Sequence, residues 1–176
     1  MVINMKSSIN VEKTDITQMD VDVIVNAANR NLSHGGGVCG AIFSRAGPHR
    51  LAEACSEIGG CETGSAVITP GFDLKAKYII HAVGPVWQGG NSGEEELLYS
   101  AYEKSLILAK ENQCRSIGVP VISSGIYGYP KKEAWQVAVR SCRDFIENNP
   151  DYPIEIAFAV LSDESKSMGE EAIRQN

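Results

Sequence analysis

The chain is 176 residues long, 43% hydrophobic and 22% charged, which suits one domain over residues 1–176 with a core large enough to need no staples. Its net charge of -6 excludes a broad basic footprint, so nucleic acid is not an expected partner, although the positive end of a helix can hold one anionic ligand. Met1 to Ser8 lacks the apolar core of a signal peptide and no stretch approaches a membrane span, so a cytoplasmic protein without a membrane partner is expected.

In chain order, Ser8 to Lys13 reads as a first strand and Val21 to Ala27 as a second. Val21, Val23, Ile24 and Val25 form a β-branched run suited to a strand buried on both faces of a sheet. Three consecutive glycines, Gly35 to Gly37, lead into a helix from about Val38, where Val38, Ala41, Ile42 and Ala46 have helical spacing. Pro48 to Ile58 reads as a second helix, with proline at a permitted first-turn position and Gly59-Gly60 at its end. Strands follow at Ser65 to Thr69 and Tyr78 to Val83, the first stopped by Pro70-Gly71. Glu94 to Asn112 is a long helix with acidic residues in its first turn. A strand at Ile117 to Ile122, a helix from about Lys131 to Asn148, a strand at Ile154 to Leu161 and a helix from about Ser165 complete the chain. The alternation predicts a three-layer α/β/α sandwich, and early strands without an intervening helix predict a mixed, mostly parallel central sheet.

Two stretches carry chemistry. Asn26 and Asn29 fall where the second strand emerges at its carboxyl end, the edge at which open α/β sheets bind ligands. Gly35, Gly36 and Gly37 have no Cβ, so a bulky ligand can approach the main chain, and the N–H groups at the start of the next helix face an anion such as a phosphate or diphosphate. The alternative is a glycine-rich turn with no ligand. Ser123-Ser124-Gly125-Ile126-Tyr127-Gly128-Tyr129-Pro130 follows another apolar strand and repeats this logic, with the N–H groups of Ser124, Gly125 and Ile126 as donors. Tyr127 either lies over a sugar or, like Tyr129, covers the loop. Asp15 can accept from an exocyclic amine such as that of adenine, or cap a short helix. His81 reads as a core histidine rather than a catalyst. Cys39, Cys55, Cys61, Cys114 and Cys142 are odd in number and suit packed thiols in a reducing compartment. With the scattered His34, His49 and His81 they form no tight cluster, so neither a metal nor a cofactor is expected.

Taken together, TDIT at Thr14 to Thr17, VIVNAAN at Val23 to Asn29, GGGVCGAIFSRAG at Gly35 to Gly47, TGSAVITPGFDLKAKYIIHAVGP at Thr63 to Pro85 and PVISSGIYGYP at Pro120 to Pro130 resemble the macrodomains that bind ADP-ribose. The likeness covers most of the chain and is nearest to the MacroD-type group with its bacterial O-acetyl-ADP-ribose deacetylases. It implies that Asp15 and Ile16 meet adenine, that Gly35, Gly36, Gly37 and Val38 with Ser123, Ser124, Gly125, Ile126 and Tyr127 hold the diphosphate and neighbouring ribose, and that Asn26 and Asn29 lie near the distal ribose. The implied partner is ADP-ribose or an ADP-ribosylated protein, bound by a monomer. The implied activity is hydrolysis of ADP-ribosyl esters, on mono-ADP-ribosylated Asp or Glu of proteins or on O-acetyl-ADP-ribose.

The chain departs from that pattern at Cys39, where such hydrolases usually carry aspartate, and at Phe43, where many have histidine. An aromatic that often stacks on adenine is also replaced, Leu161 and Ser162 standing in that region. In one hydrolytic reading Asn29 orients the distal ribose while main-chain donors and the substrate phosphate position water. In a second, Cys39 near a helix N-terminus is a nucleophile with His34 as base. The alternative to both is a reader that binds ADP-ribose without turnover.

Overall fold

The structure is a computed structural model that describes residues 6–176; Met1 to Met5, most of the stretch considered above for a leader, lie outside the described residues. Six strands, β1 (Ser8–Lys13), β2 (Val23–Ala27), β3 (Ala66–Pro70), β4 (Tyr78–Ala82), β5 (Ser116–Val119) and β6 (Glu155–Val160), form one sheet in the order β1-β6-β5-β2-β4-β3. Neighbours are parallel except β3 and β4. The sheet carries α1 (Gly37–Ala46) and α2 (Pro48–Ile58) on one face and α3 (Glu94–Glu111), α4 (Lys131–Asn148) and α5 (Asp163–Gln175) on the other.

Alternation along the strands builds two cores. Ile24 of β2 and Ile79 of β4 pack with Ile42, Phe43 and Leu51 under α1 and α2. Val23, Val25 and Ile80 point the other way and pack with Leu98, Tyr102 and Trp135 under α3 and α4. Because both faces are covered, β2 and β4 have no solvent side and need no polar alternation, so they appear in sequence as unbroken apolar runs. Each of these fully buried side chains contributes about 1.5–3 kcal/mol relative to an exposed one.

The sheet is mixed because β3 and β4 form an antiparallel pair. β1 and β2, also consecutive and separated only by a single 3-10 turn at Ile16–Gln18, do not pair; β1 lies at the opposite edge beside β6. Several boundaries shift by one to three residues from the sequence expectation, and two of the shifts have clear local reasons. β5 ends at Val119 rather than Ile122, where Pro120 has no N–H to donate to a ladder. α5 begins at Asp163 rather than Ser165, because the Ser162 side chain caps it by accepting from the Ser165 N–H at 3.1 Å.

One feature of the sheet positions everything at its carboxyl edge. β2 and β5 share only two register pairs, Val23 with Ile117 and Ile24 with Gly118. Beyond them β2 remains paired with β4 alone and β5 has ended, so the two strands part like a fork. The chain leaves β2 for α1 on one face and leaves β5 for α4 on the other, the switch in direction at which open α/β sheets form ligand crevices.

On the far face, α5 approaches α4 closely at Gly169, where an added Cβ would lie 2.5 Å from the Trp135 ring. Trp135 is buried and packs on Phe158 at 5.0 Å between centroids, so the ring has little room to retreat. Gly169→Ala is therefore expected to lower stability by about 1–3 kcal/mol through overpacking. Thermal or denaturant unfolding checks this, and an unchanged midpoint would contradict the packing described.

Candidate functional site

The first arm of the fork follows β2. Asn29 closes the turn there: its Oδ1 accepts from Ser33 N at 3.0 Å and from Ser33 Oγ at 3.2 Å, while its Nδ2 donates to Ser33 O at 3.0 Å. Leu32 inside this turn is buried and held at φ 55°, a conformation that a leucine keeps only when its surroundings over-determine it. The glycines then fold back on α1. A Cβ at Gly40 would sit 2.6 Å from the Gly35 carbonyl oxygen, so this close approach requires glycine at 40 as well.

α1 starts with Gly36 at its cap and no side chain closing its end. The first amide bonded within the helix is Gly40 N–H, to Gly36 O at 3.2 Å, and the N–H groups of Gly37, Val38 and Cys39 have no acceptor among the described residues. A Ser, Thr, Asp or Asn cap would have satisfied part of that set. Left open, the amides and the positive end of the helix dipole form an anion site.

The second arm follows β5. Gly128 N–H donates to Gly125 O at 3.0 Å and Tyr129 N–H to Ser123 O at 2.9 Å, which folds residues 123–129 into a compact loop. The amides of Gly125, Ile126 and Tyr127 have no acceptor among the described residues, whereas Ser124 N–H makes a long turn bond of 3.4 Å to Val121 O. Ser124 Oγ also turns inward, to Val121 O at 2.7 Å. Ile126 at the tip is 91% exposed and Tyr127 is half-buried. Ser123, at φ 67°, points its hydroxyl away from the tip toward Gly84, where even one methyl group would lie 2.2 Å from it. Its Oγ is buried without a partner. The two arms thus place two sets of free main-chain donors on the ends of neighbouring strands.

Behind the first arm lies a buried polar chain. Asn26, register partner of His81, is fully buried; its Nδ2 donates to His81 Nδ1 at 3.0 Å and to Cys39 Sγ at 3.7 Å. Thr69 Oγ1 donates to Pro70 O at 3.1 Å and lies 3.0 Å from His81 Nε2, which assigns the proton of the neutral ring to Nε2. Burial alone pulls the His81 pKa down from 6.5 to about 4, so the ring is uncharged near neutrality. His81 is a satisfied core histidine. Asn26 ties β2 to β4 and to α1 from behind the loop, with its side chain buried and Oδ1 unpartnered.

Cys39, 7% exposed, sits in the first turn of α1, where its thiol donates to Ser33 O at 3.6 Å. His34 is not among its partners: the imidazole stacks on Phe43 at 5.1 Å and 6° between planes. Asp15, after β1, caps the 3-10 turn by accepting from Thr17 N at 2.9 Å and from Thr17 Oγ1 at 2.7 Å. These bonds, led by that to the Thr17 side chain, lower its pKa. Both bonds use Oδ1, and Oδ2 faces Arg45 at 4.0 Å. Ile16 beside it is buried. Leu161, at the end of β6 next to Thr14, is 76% exposed and offers an apolar surface at the same edge.

Sequence reasoning missed a third segment at this edge, residues 84–93 after β4. Trp87 N–H donates to Tyr127 O at 2.8 Å and its ring packs on Tyr129 at 4.7 Å between centroids. The signal available was the density of glycine, Gly84, Gly89, Gly90 and Gly93, around a single tryptophan. Arg30, Asn31, Gly60, Cys61 and Glu62 line an open depression of about 560 Å³. Among the described residues no group of three His, Cys, Asp or Glu side chains converges on a metal position, and no helix is long and apolar enough to cross a membrane.

Comparison with known proteins places these features in a lineage. The Macro domain family matches residues 25–138. A Salmonella typhimurium protein named O-acetyl-ADP-ribose deacetylase is 50% identical over 165 residues, covering 92% of this chain and 91% of that protein. Among solved structures, the Oceanobacillus iheyensis macrodomain with ADP superposes with a TM-score of 0.91 at 37% identity, covering 99% of this chain and 95% of the other. The Trypanosoma brucei macrodomain in complex with ADP-ribose gives 0.87 at 36% identity, covering 94% and 68%.

The buried His81 makes the fold sensitive to mild acid. An unfolded chain protonates this ring below about 6.5 and the folded chain only near 4, so the unfolded state binds more protons in between. The stability present above pH 6.5 is expected to decline as pH falls toward 4, by on the order of 3 kcal/mol from this group. Urea unfolding across that range checks it: His81→Gln should flatten the slope, and an equally steep slope in the variant would assign it to other groups.

Proposed function

This chain belongs to the Macro domain family, and on that premise we propose that it binds ADP-ribose across the fork between β2 and β5 and hydrolyses ADP-ribosyl esters. The observation that carries the reading is the pair of open donor sets, Gly37 to Cys39 at the start of α1 and Gly125 to Tyr127 in the opposite loop. Two arrays of open N–H groups at one sheet edge suit the two phosphates of a diphosphate. Asp15, with Oδ2 outside its capping bonds, takes the adenine amine beside Ile16, and the exposed Leu161 supplies apolar surface nearby in place of a stacking aromatic. Asn29 then lies at the distal ribose, beyond Gly35 and Gly36.

O-acetyl-ADP-ribose is proposed as one substrate, and Asp or Glu side chains of proteins bearing mono-ADP-ribose as another, because both present an acyl ester on the distal ribose. Water adds to the acyl carbon, the bond from that carbon to the ribose oxygen breaks, the ribose oxygen takes up a proton, and a carboxylic acid and free ADP-ribose leave. Negative charge develops on the acyl oxygen during addition. Preorganised amide dipoles at the start of α1 stabilise such charge, and a substrate phosphate held close by positions the water, so this route needs no side-chain base. The thiol of Cys39 is packed against Asn26 and Ser33 with no hydrogen bond to an imidazole among the described residues, which supports a packing role over that of a nucleophile. Identity near 50% to proteins named deacetylases favours turnover over simple reading. We further propose that the protein acts as a monomer in the cytoplasm.

Calorimetry with ADP-ribose is expected to show saturable heat release, and its absence would remove the foundation of the reading. Asn29→Ala is expected to cut release of acetate from O-acetyl-ADP-ribose by roughly a hundredfold, the scale of a lost positioning contact. Cys39→Ala should retain binding and most turnover. Intact binding with abolished turnover in Cys39→Ala would instead favour covalent catalysis.

A further inference from the structure

Glu94 opens α3 and is 1% exposed, yet no cation pairs with it among the described residues. Its carboxylate is satisfied by main chain. Oε2 accepts from Gln88 N–H and Gly90 N–H, both at 2.9 Å, and Oε1 accepts from Ser92 N–H at 2.6 Å. Three amides from one short segment can converge on one carboxylate only if the segment curls, and Gly89, Gly90 and Gly93 do so at φ 94°, 92° and 78°. The strap curls around Trp87, with no room for a side chain at Gly90, where a Cβ would meet the indole at 2.9 Å.

The outer side of this strap is the support of the second donor loop. Gly84 abuts Ser123, Trp87 N–H holds Tyr127 O at 2.8 Å, and the indole packs on Tyr129. Residues 123–129 have few internal ties of their own, two turn bonds and the bent-in Ser124 hydroxyl, so their placement depends on what lies behind them. We propose that Glu94 is a positioning residue for the ligand cleft: it fixes the strap 84–93, and through Trp87 the strap fixes the loop whose open amides face the ligand.

The proposal rests on the ADP-ribose reading for its ligand, but its mechanical part does not. The bonds to Gln88, Gly90 and Ser92 hold the Glu94 pKa down at about 2, so the clamp stays charged at any pH at which the protein works. Glutamine cannot replace it, since one amide oxygen cannot serve both sides and its NH2 group would face an N–H donor.

The test is a double-mutant cycle read by calorimetry with ADP-ribose, using wild type, Glu94→Gln, Trp87→Ala and the double variant, with melting temperatures measured alongside. Glu94→Gln and Trp87→Ala are each expected to weaken binding roughly tenfold, and the double variant no more than about twofold further, because both break one chain of contacts. Tyr99→Phe is the control for plain destabilisation. Tyr99 lies on the same helix as Glu94 but outside the strap; the variant removes its 2.6 Å bond to Asp144 of α4 and should lower the melting temperature while leaving ADP-ribose affinity unchanged. Multiplying effects in the double variant, wild-type affinity in Glu94→Gln, or an equal loss in Tyr99→Phe would overturn the proposal. Amide exchange on the ligand-free protein separates this from failure of the ligand reading: Glu94→Gln, or Glu94→Asp if the former does not fold, should speed exchange of the Trp87 N–H at least about tenfold. Unchanged exchange there would overturn the clamp whatever the ligand, and a wild type that ignores ADP-ribose while its variants show faster exchange would overturn only the ligand reading.

Discussion

The parallel contact between β2 and β5 is the constraint from which the rest of the site follows. It is short, two register pairs, because Pro120 ends β5 while β2 runs on beside β4. Were the ladder longer, the two strand ends would be sealed by hydrogen bonds and the loops beyond them pressed together. With the ladder cut short, the strands diverge at the edge where the chain also changes face, to α1 on one side and α4 on the other. A cleft between two main-chain loops is the consequence.

What lines that cleft is mostly backbone. The side chains that look chemically capable in sequence are largely spent on structure: Asn26 and His81 on each other, Cys39 on packing, Ser123 on the contact with Gly84, Asp15 on its own turn. Burying the Asn26 amide and the His81 ring is tolerable because both contacts are made, Asn26 Nδ2 to His81 and His81 to Thr69, and this pairing makes the floor of the first loop stiff although Asn26 Oδ1 has no partner among the described residues. A stiff floor with open amides above it is a preorganised electrostatic environment, which suits chemistry in which charge appears on a substrate oxygen rather than on an enzyme group.

The opposite loop has less of its own to hold it, and the strap after β4 makes up the difference. A glycine-rich segment is costly to order, since each glycine gives up more backbone freedom than other residues do. Convergence of three amides on the buried Glu94 carboxylate offsets that cost with charge-assisted hydrogen bonds. The fold thus stiffens the two loops at this edge differently, one from beneath by side-chain pairing and one from behind by a carboxylate at a helix start.

The sequence by itself determined the element order, the layering and the location of both loops, because these depend on local periodicity and on where glycine and proline interrupt it. Val23 to Val25 announces a strand covered on both faces, and Gly35 to Gly37 before an apolar helical stripe announces an uncapped helix start. Only the tertiary structure decided which side chains stay free. That Asn26 pairs with His81 depends on a register between β2 and β4, partners more than fifty residues apart, and no spacing within either strand records it. In the same way Glu94 looks in sequence like one acid of three in a first turn, and becomes a clamp only when the chain before it folds back onto its carboxylate. Local patterns follow from each residue's own conformational preferences, whereas the pairing of buried polar groups is set by long-range contacts that exist only once the sheet has formed.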